Sequence, residues 1–88
     1  MKPWSNDEER LLRYFNYVEK TIRNIVIKAS DGLRDKIEKI IDNAKRYYED
    51  AKHYMNLRDY PTSYVCIAYC EGLLDALKLL NLVEVVER

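Results

Sequence analysis

The sequence predicts an all-α fold: an up-down-up antiparallel three-helix bundle with helices at about 5–29, 33–57 and 59–80. Three observations carry that expectation. Apolar residues recur at steps of four and three through three successive stretches. Only two short breaks separate the stretches, Ser30-Asp31-Gly32 and Leu57-Arg58-Asp59-Tyr60-Pro61. Connections this short make consecutive helices antiparallel neighbours. No strand pattern competes before Leu82, and 88 residues form one helical domain over 1–88 with one modest core.

The first helix opens at Ser5-Asn6-Asp7-Glu8, a serine followed three residues later by glutamate, the pattern of a capping box. Asp7, Glu8 and Glu9 also suit the positive end of the helix dipole. Leu11, Phe15, Val18, Ile22, Ile25 and Ala29 continue the apolar rhythm, and Gly32 is expected to supply a left-handed residue in the break that follows.

In the second helix Leu33, Ile37, Ile40, Ala44, Tyr47, Ala51 and Tyr54 form one stripe. Ile41, Tyr48 and Met55 widen it. Glu38, Lys39, Asp42, Lys45, Glu49 and Lys52 make the opposite, wet face.

The third helix starts with Asp59 as N-cap and Pro61 in the first turn, where its missing N–H is harmless. It is apolar nearly all round: Val65 to Cys70, then Leu73, Leu74, Ala76, Leu77, Leu79 and Leu80. Glu71, Asp75 and Lys78 are its only charges, read as one narrow exposed strip, with Asp75 and Lys78 paired one turn apart. Such a helix is normally covered on more than one side. Ala68, Gly72 and Ala76 form a small-residue groove, read with Ala44 and Ala51 as letting backbones approach closely. A mid-helix glycine costs about 1 kcal/mol relative to alanine, so Gly72 reads as a packing device. The last residues, 82–88, are expected to be a loosely docked or frayed tail, with strand pairing to a partner the lesser option.

Fifteen basic and fifteen acidic residues give zero formal charge, which argues against a general nucleic-acid binder. No apolar run reaches the roughly 20 residues of a membrane span, and the N-terminus is not a signal peptide. The expected location is cytoplasmic, with no membrane partner. Cys66 and Cys70 read as buried thiols rather than as a disulfide or half a metal site. The absence of glutamine and the high charge content lean towards a thermophile.

The segment Tyr47-Tyr48-Glu49-Asp50-Ala51-Lys52, through Asp59-Tyr60, to Glu71-Gly72-Leu73-Leu74-Asp75-Ala76-Leu77 resembles the archaeal family known as domain of unknown function 357. The likeness is good over 33–82 and looser in the first helix. It implies a three-helix bundle and no inherited activity. The hairpin is also similar to a single tetratricopeptide-type unit, on Tyr47, Ala51, Tyr54, Ser63, Ile67 and Cys70. It departs at Asp50, where that repeat has leucine, and no proline closes its second helix. A lone copy is not a solenoid, since stable arrays need about three.

Two readings of function follow. The first is a non-enzymatic helical module for protein–protein interaction or self-association, with a protein partner or a second copy in a homodimer. Its warrant is surplus apolar surface on the third helix and the tail, with candidate contacts Val65, Tyr69, Glu71, Leu73, Asp75 and Leu79. The second is an RNA-processing or nucleotidyltransferase-partner protein resembling the HEPN helical domains, using Arg46 and His53. Their spacing fits that family's loose arginine–histidine pattern, and a histidine titrates near neutrality. Tyr47 departs from the polar residue usual after the arginine. Asp50, His53, Glu71 and Asp75 are too few for a di-iron site of the bundle type. No cofactor, metal or catalytic residue is expected under the first reading.

Overall fold

A computed structural model describes residues 3–28 and 31–86, with side chains from Glu8 onward apart from Asp31. Three helices, α1 (Pro3–Asn24), α2 (Arg34–Asn56) and α3 (Tyr60–Leu79), build a bundle about 51 × 23 × 19 Å. A 3-10 turn (Asp31–Leu33) leads into α2. Two strands, β1 (Ile25–Ile27) and β2 (Val83–Val85), pair antiparallel. The helix order and all-α character are as the sequence predicts.

The largest difference lies at the end of α1. The helix stops at Asn24 instead of running to 29, and the next three residues form a strand. Ile25 pairs with Val85, Val26 with Glu84 and Ile27 with Val83. Two further backbone bonds extend the ladder, Lys28 N–H to the Leu82 carbonyl and Val86 N–H to that of Asn24, both 2.9 Å. Three consecutive β-branched residues favour extended backbone once a partner strand exists. Thr21 Oγ1 and Asn24 Nδ2 hydrogen-bond to the carbonyls of Tyr17 and Lys20, at 3.0 and 2.9 Å, in the last turn of the helix. The tail is therefore neither loose nor frayed over its described part: Val83 is buried, and Val85 and Val86 are half-buried. Glu87 and Arg88 lie outside the described residues, as do Ala29 and Ser30.

Helix ends also differ from expectation. The backbone of α1 already begins at Pro3, so Ser5 lies within the helix rather than capping it; its side chain is outside the described set. Gly32 belongs to the 3-10 turn and has no positive φ. Left-handed residues instead close α2 and α3, Arg58 (φ 62°) and Asn81 (φ 60°). Each sits in a Schellman motif. Asp59 N–H bonds to the Tyr54 carbonyl and Arg58 N–H to that of Met55. At the other end Leu82 N–H bonds to the Leu77 carbonyl and Asn81 N–H to that of Lys78. Asparagine tolerates this conformation. Arg58 carries a penalty there that the hairpin geometry imposes. Asp59 caps α3 as expected, accepting from Thr62 N–H at 3.3 Å, with Pro61 in the first turn.

The core has two parts. Leu11, Phe15 and Val18 of α1 meet Ala44 and Ala51 of α2 and Ile67, Cys70 and Leu74 of α3. Below them, Ile37, Ile41, Leu77 and Val83 form a second cluster, with Ile25 and Ile27 of β1 packed against it. Helices α2 and α3 make the main contact, and α3 also bridges to α1. Where α2 and α3 approach, the fully buried Ser63 hydroxyl donates to the Ala51 carbonyl at 2.7 Å. Two small residues, Ala51 and Ser63, meet there.

Candidate interaction surface

At 100° per residue, α3 divides into faces of different fate. Ser63, Ile67, Cys70, Leu74 and Leu77 point into the bundle and are buried. The opposite face carries Pro61, Val65, Ala68, Gly72, Ala76 and Leu79, all exposed, with Tyr69 and Leu80 beside them. Val65 is 56% exposed, Tyr69 59%, Leu80 68% and Leu79 86%. No residue on this strip is charged.

The three charges of the helix are not its solvent face, which corrects the expectation. They lie at the seam with α1. Glu71 lines a shallow hollow with Arg10, Arg13, Tyr14 and Tyr17 of α1. Asp75 pairs with Lys78 at 3.4 Å, as the spacing predicts. Lys78 Nζ donates to the Tyr17 hydroxyl at 2.7 Å and stands 5.1 Å from that ring's centre. The hydrogen bond to Tyr17 raises the lysine above its ordinary value, against the opposing effect of burial. Sequence reasoning treats charge as a mark of solvent exposure; here an aromatic wall on α1 gives the charges a use at a helix contact.

The small-residue groove is also turned the other way. Ala44 and Ala51 face the core, whereas Ala68, Gly72 and Ala76 face out. A Cβ added at Gly72 would meet nothing within 4 Å, so no neighbour in this chain calls for a glycine there. Ala68, Tyr69, Gly72 and Leu73 line a shallow apolar hollow. Leu73 is half-buried against the core cluster, so it borders the face rather than projecting from it. Tyr69 is stacked on Tyr47 of α2, ring centres 5.2 Å apart and planes at 16°. That contact fixes the ring while leaving much of it open. Of the six candidate contacts, Val65, Tyr69 and Leu79 share the open face, Leu73 edges it, and Glu71 and Asp75 lie towards α1.

Arg46 and His53 are both exposed and share the outer face of α2. Seven residues of helix separate them by about 10 Å along the axis. The His53 ring meets the edge of Tyr54 at 5.2 Å. Arg46 instead borders the groove beside Tyr47, Asp50, Tyr69 and Leu73. Asp50 and His53 on α2 are not brought to Glu71 and Asp75, and no cluster of three or more His, Cys, Asp or Glu suited to a metal occurs among the described residues. Cys70 is buried, its thiol pushed up to about 12 by burial and, less, by Glu71. Cys66 is half-buried and also raised, chiefly by burial, then by Asp50 and Asp59. Both thiols are free. No described helix is long and apolar enough to cross a membrane.

Residues 13–83 match the model of a family described as "Protein of unknown function (DUF357)". The chain belongs to the DUF357 family. The DUF357 match takes in most of α1, all of α2 and α3, and the first residue of β2. It therefore spans the whole open face of α3 and the helices that support it. No curated protein and no solved structure matches the chain. DUF357 membership thus agrees with the resemblance carried by Tyr47-Tyr48 and Glu71-Gly72 and supplies no activity.

Proposed function

We propose that this DUF357 chain is a non-enzymatic helical module that binds another protein surface through the outer face of α3. One observation carries the reading. A strip about 30 Å long holds Val65, Tyr69 and Leu79 in the open with no charge among them. Exposed apolar residues scattered singly are ordinary, but a contiguous strip bordered by polar groups is characteristic of interaction sites. Tyrosine adds to the case, being enriched where interfaces concentrate binding energy. The tail is set apart from this face: Val83 packs with Ile37, Ile41 and Leu77 in the core, and β2 pairs along one edge with β1.

Sedimentation and binding of an apolar dye test the reading, comparing the wild type with Val65→Lys and Leu79→Lys. The wild type should bind dye or associate, and each lysine variant should do so several-fold less without loss of helicity. A wild type that neither binds dye nor associates with any protein over the accessible concentration range would discard it.

A ribonuclease-like use of Arg46 and His53 is the second reading. It is favoured only by their common exposed face on α2. Incubation with RNA, wild type against His53→Ala, decides it: equal cleavage, or none, in both proteins removes the pair from consideration.

A further inference from the structure

We infer that the surface covering α3 is a second copy of the same helix, packed antiparallel about a two-fold axis at Gly72. This inference rests on the interaction reading above and names its partner. The outer strip runs Val65, Ala68, Gly72, Ala76, Leu79, with steps of three, four, four and three. The spacing reads the same from either end. So does the pattern of size: large, small, smallest, small, large. A two-fold interface must complement itself, each position meeting its mirror in sequence. About Gly72, Val65 of one copy meets Leu79 of the other, Ala68 meets Ala76, and Gly72 meets Gly72. Bulk closes the two ends while the middle allows the backbones to come close.

Three further observations fit that occupant. Gly72 has no neighbour in its own chain that needs the missing Cβ, yet glycine is unfavourable inside a helix. A helix backbone crossing at that point supplies the reason. Tyr69, held against Tyr47, stands beside the strip on the flank away from the charges. In the two-fold pair it lies over Ala76 and Leu73 of the other copy, large against small.

Size and charge complete the case. From Val65 to Leu79 the paired face is about 21 Å long and one helix, about 10–12 Å, wide. Two such faces give roughly 460 Å² as flat rectangles, the scale of a weak, reversible pairing rather than an obligate one. The seam of Glu71, Asp75 and Lys78 bounds it on the α1 side, so the strip fits one helix rather than a broad globular surface. The strip itself is uncharged, and two identical copies bring no like charges together along it.

Gly72 also makes the test clean, since its variants have room in the isolated chain. Sedimentation equilibrium from about 1 to 100 μM should show wild type rising towards twice the 10.6 kDa monomer mass. Gly72→Ala should weaken association about tenfold and Gly72→Leu roughly a hundredfold or more, both with unchanged helicity. Register is read by cysteine pairs in a Cys66→Ser background, Cys70 being buried. Under mild oxidation, Ala68→Cys mixed with Ala76→Cys should cross-link far more than Ala68→Cys alone. The pairing is overturned if wild type stays monomeric throughout, if Gly72→Leu associates as well as wild type, or if Ala68→Cys alone cross-links as readily as the mixture. Should wild type be monomeric while Val65→Lys and Leu79→Lys abolish binding to a different protein, the pairing falls and the interaction reading stands.

Discussion

The two faces of α3 are built from the same kinds of residue and meet opposite fates. Inward, Ser63, Ile67, Cys70, Leu74 and Leu77 are almost wholly shielded. Outward, Val65, Tyr69 and Leu79 keep more than half their surface open. What separates them is fit, not hydropathy. The inner face offers a serine and a cysteine where helices come close and leucines where there is room. The outer face offers a glycine and two alanines with nothing opposite. A helix can thus carry one contact that holds its own fold and a second that serves another surface, with mean apolarity blind to the distinction.

The comparison is most directly broken from the inside. Leu74→Ala should cost about 2–5 kcal/mol in denaturant unfolding, through lost burial and the cavity left behind. A value under 1 kcal/mol would mean the inner face is not the core it is taken to be. Ser63→Val should cost about 1–3 kcal/mol, since it loses the bond to the Ala51 carbonyl and crowds a fully buried crossing.

Alkali tests the same face without a large change of volume. The Cys70 thiol, ordinarily near 9.0, is pushed up to about 12. The folded chain therefore keeps a proton that the unfolded chain loses above about pH 9. The associated stability is present below that pH and is lost as pH rises towards 12. The protein should be about 1.4 kcal/mol less stable at pH 10 than at pH 8 from this group alone. Tyr48 shifts the balance the same way, raised by burial and next by Glu19. Urea titrations at the two pH values, with Cys70→Ala as control, should show the dependence shrink in the variant.

Outer-face changes should be small or favourable in the single copy, measured at high dilution. Gly72→Ala should stabilise the fold by about 0.4–1 kcal/mol, because it stiffens the unfolded chain and clashes with nothing. Leu79→Gln should change stability by less than about 0.5 kcal/mol. A loss of 2 kcal/mol from either would show that the chain itself covers this face.

Much of this was legible in the residues. The stripe on α2, the cap at Asp59 and the turn at Pro61 fix the hairpin because each rests on local geometry. The ends of α2 and α3 were less so, since Arg58 and Asn81 take the conformation in which glycine is expected. Strand β1 was hidden by its own rhythm: Ile22, Ile25 and Ala29 continue the helical spacing. Its reason to be extended lies in Val83–Val85, nearly sixty residues along the chain. The sidedness of α3 was obscured because Glu71, Asp75 and Lys78 suggest a wet face. Nothing local reveals that Tyr17 will shelter the lysine.

The β1–β2 pairing bears on how this chain folds. Its hydrogen bonds join residues that stand on either side of both α2 and α3 in the sequence. Without Val83 and Val85, Ile25 and Ile27 have no extended mate, and the local spacing favours continuing the first helix through them. The helical hairpin is thus built from near neighbours, whereas the join closes a long loop and carries the larger entropic cost.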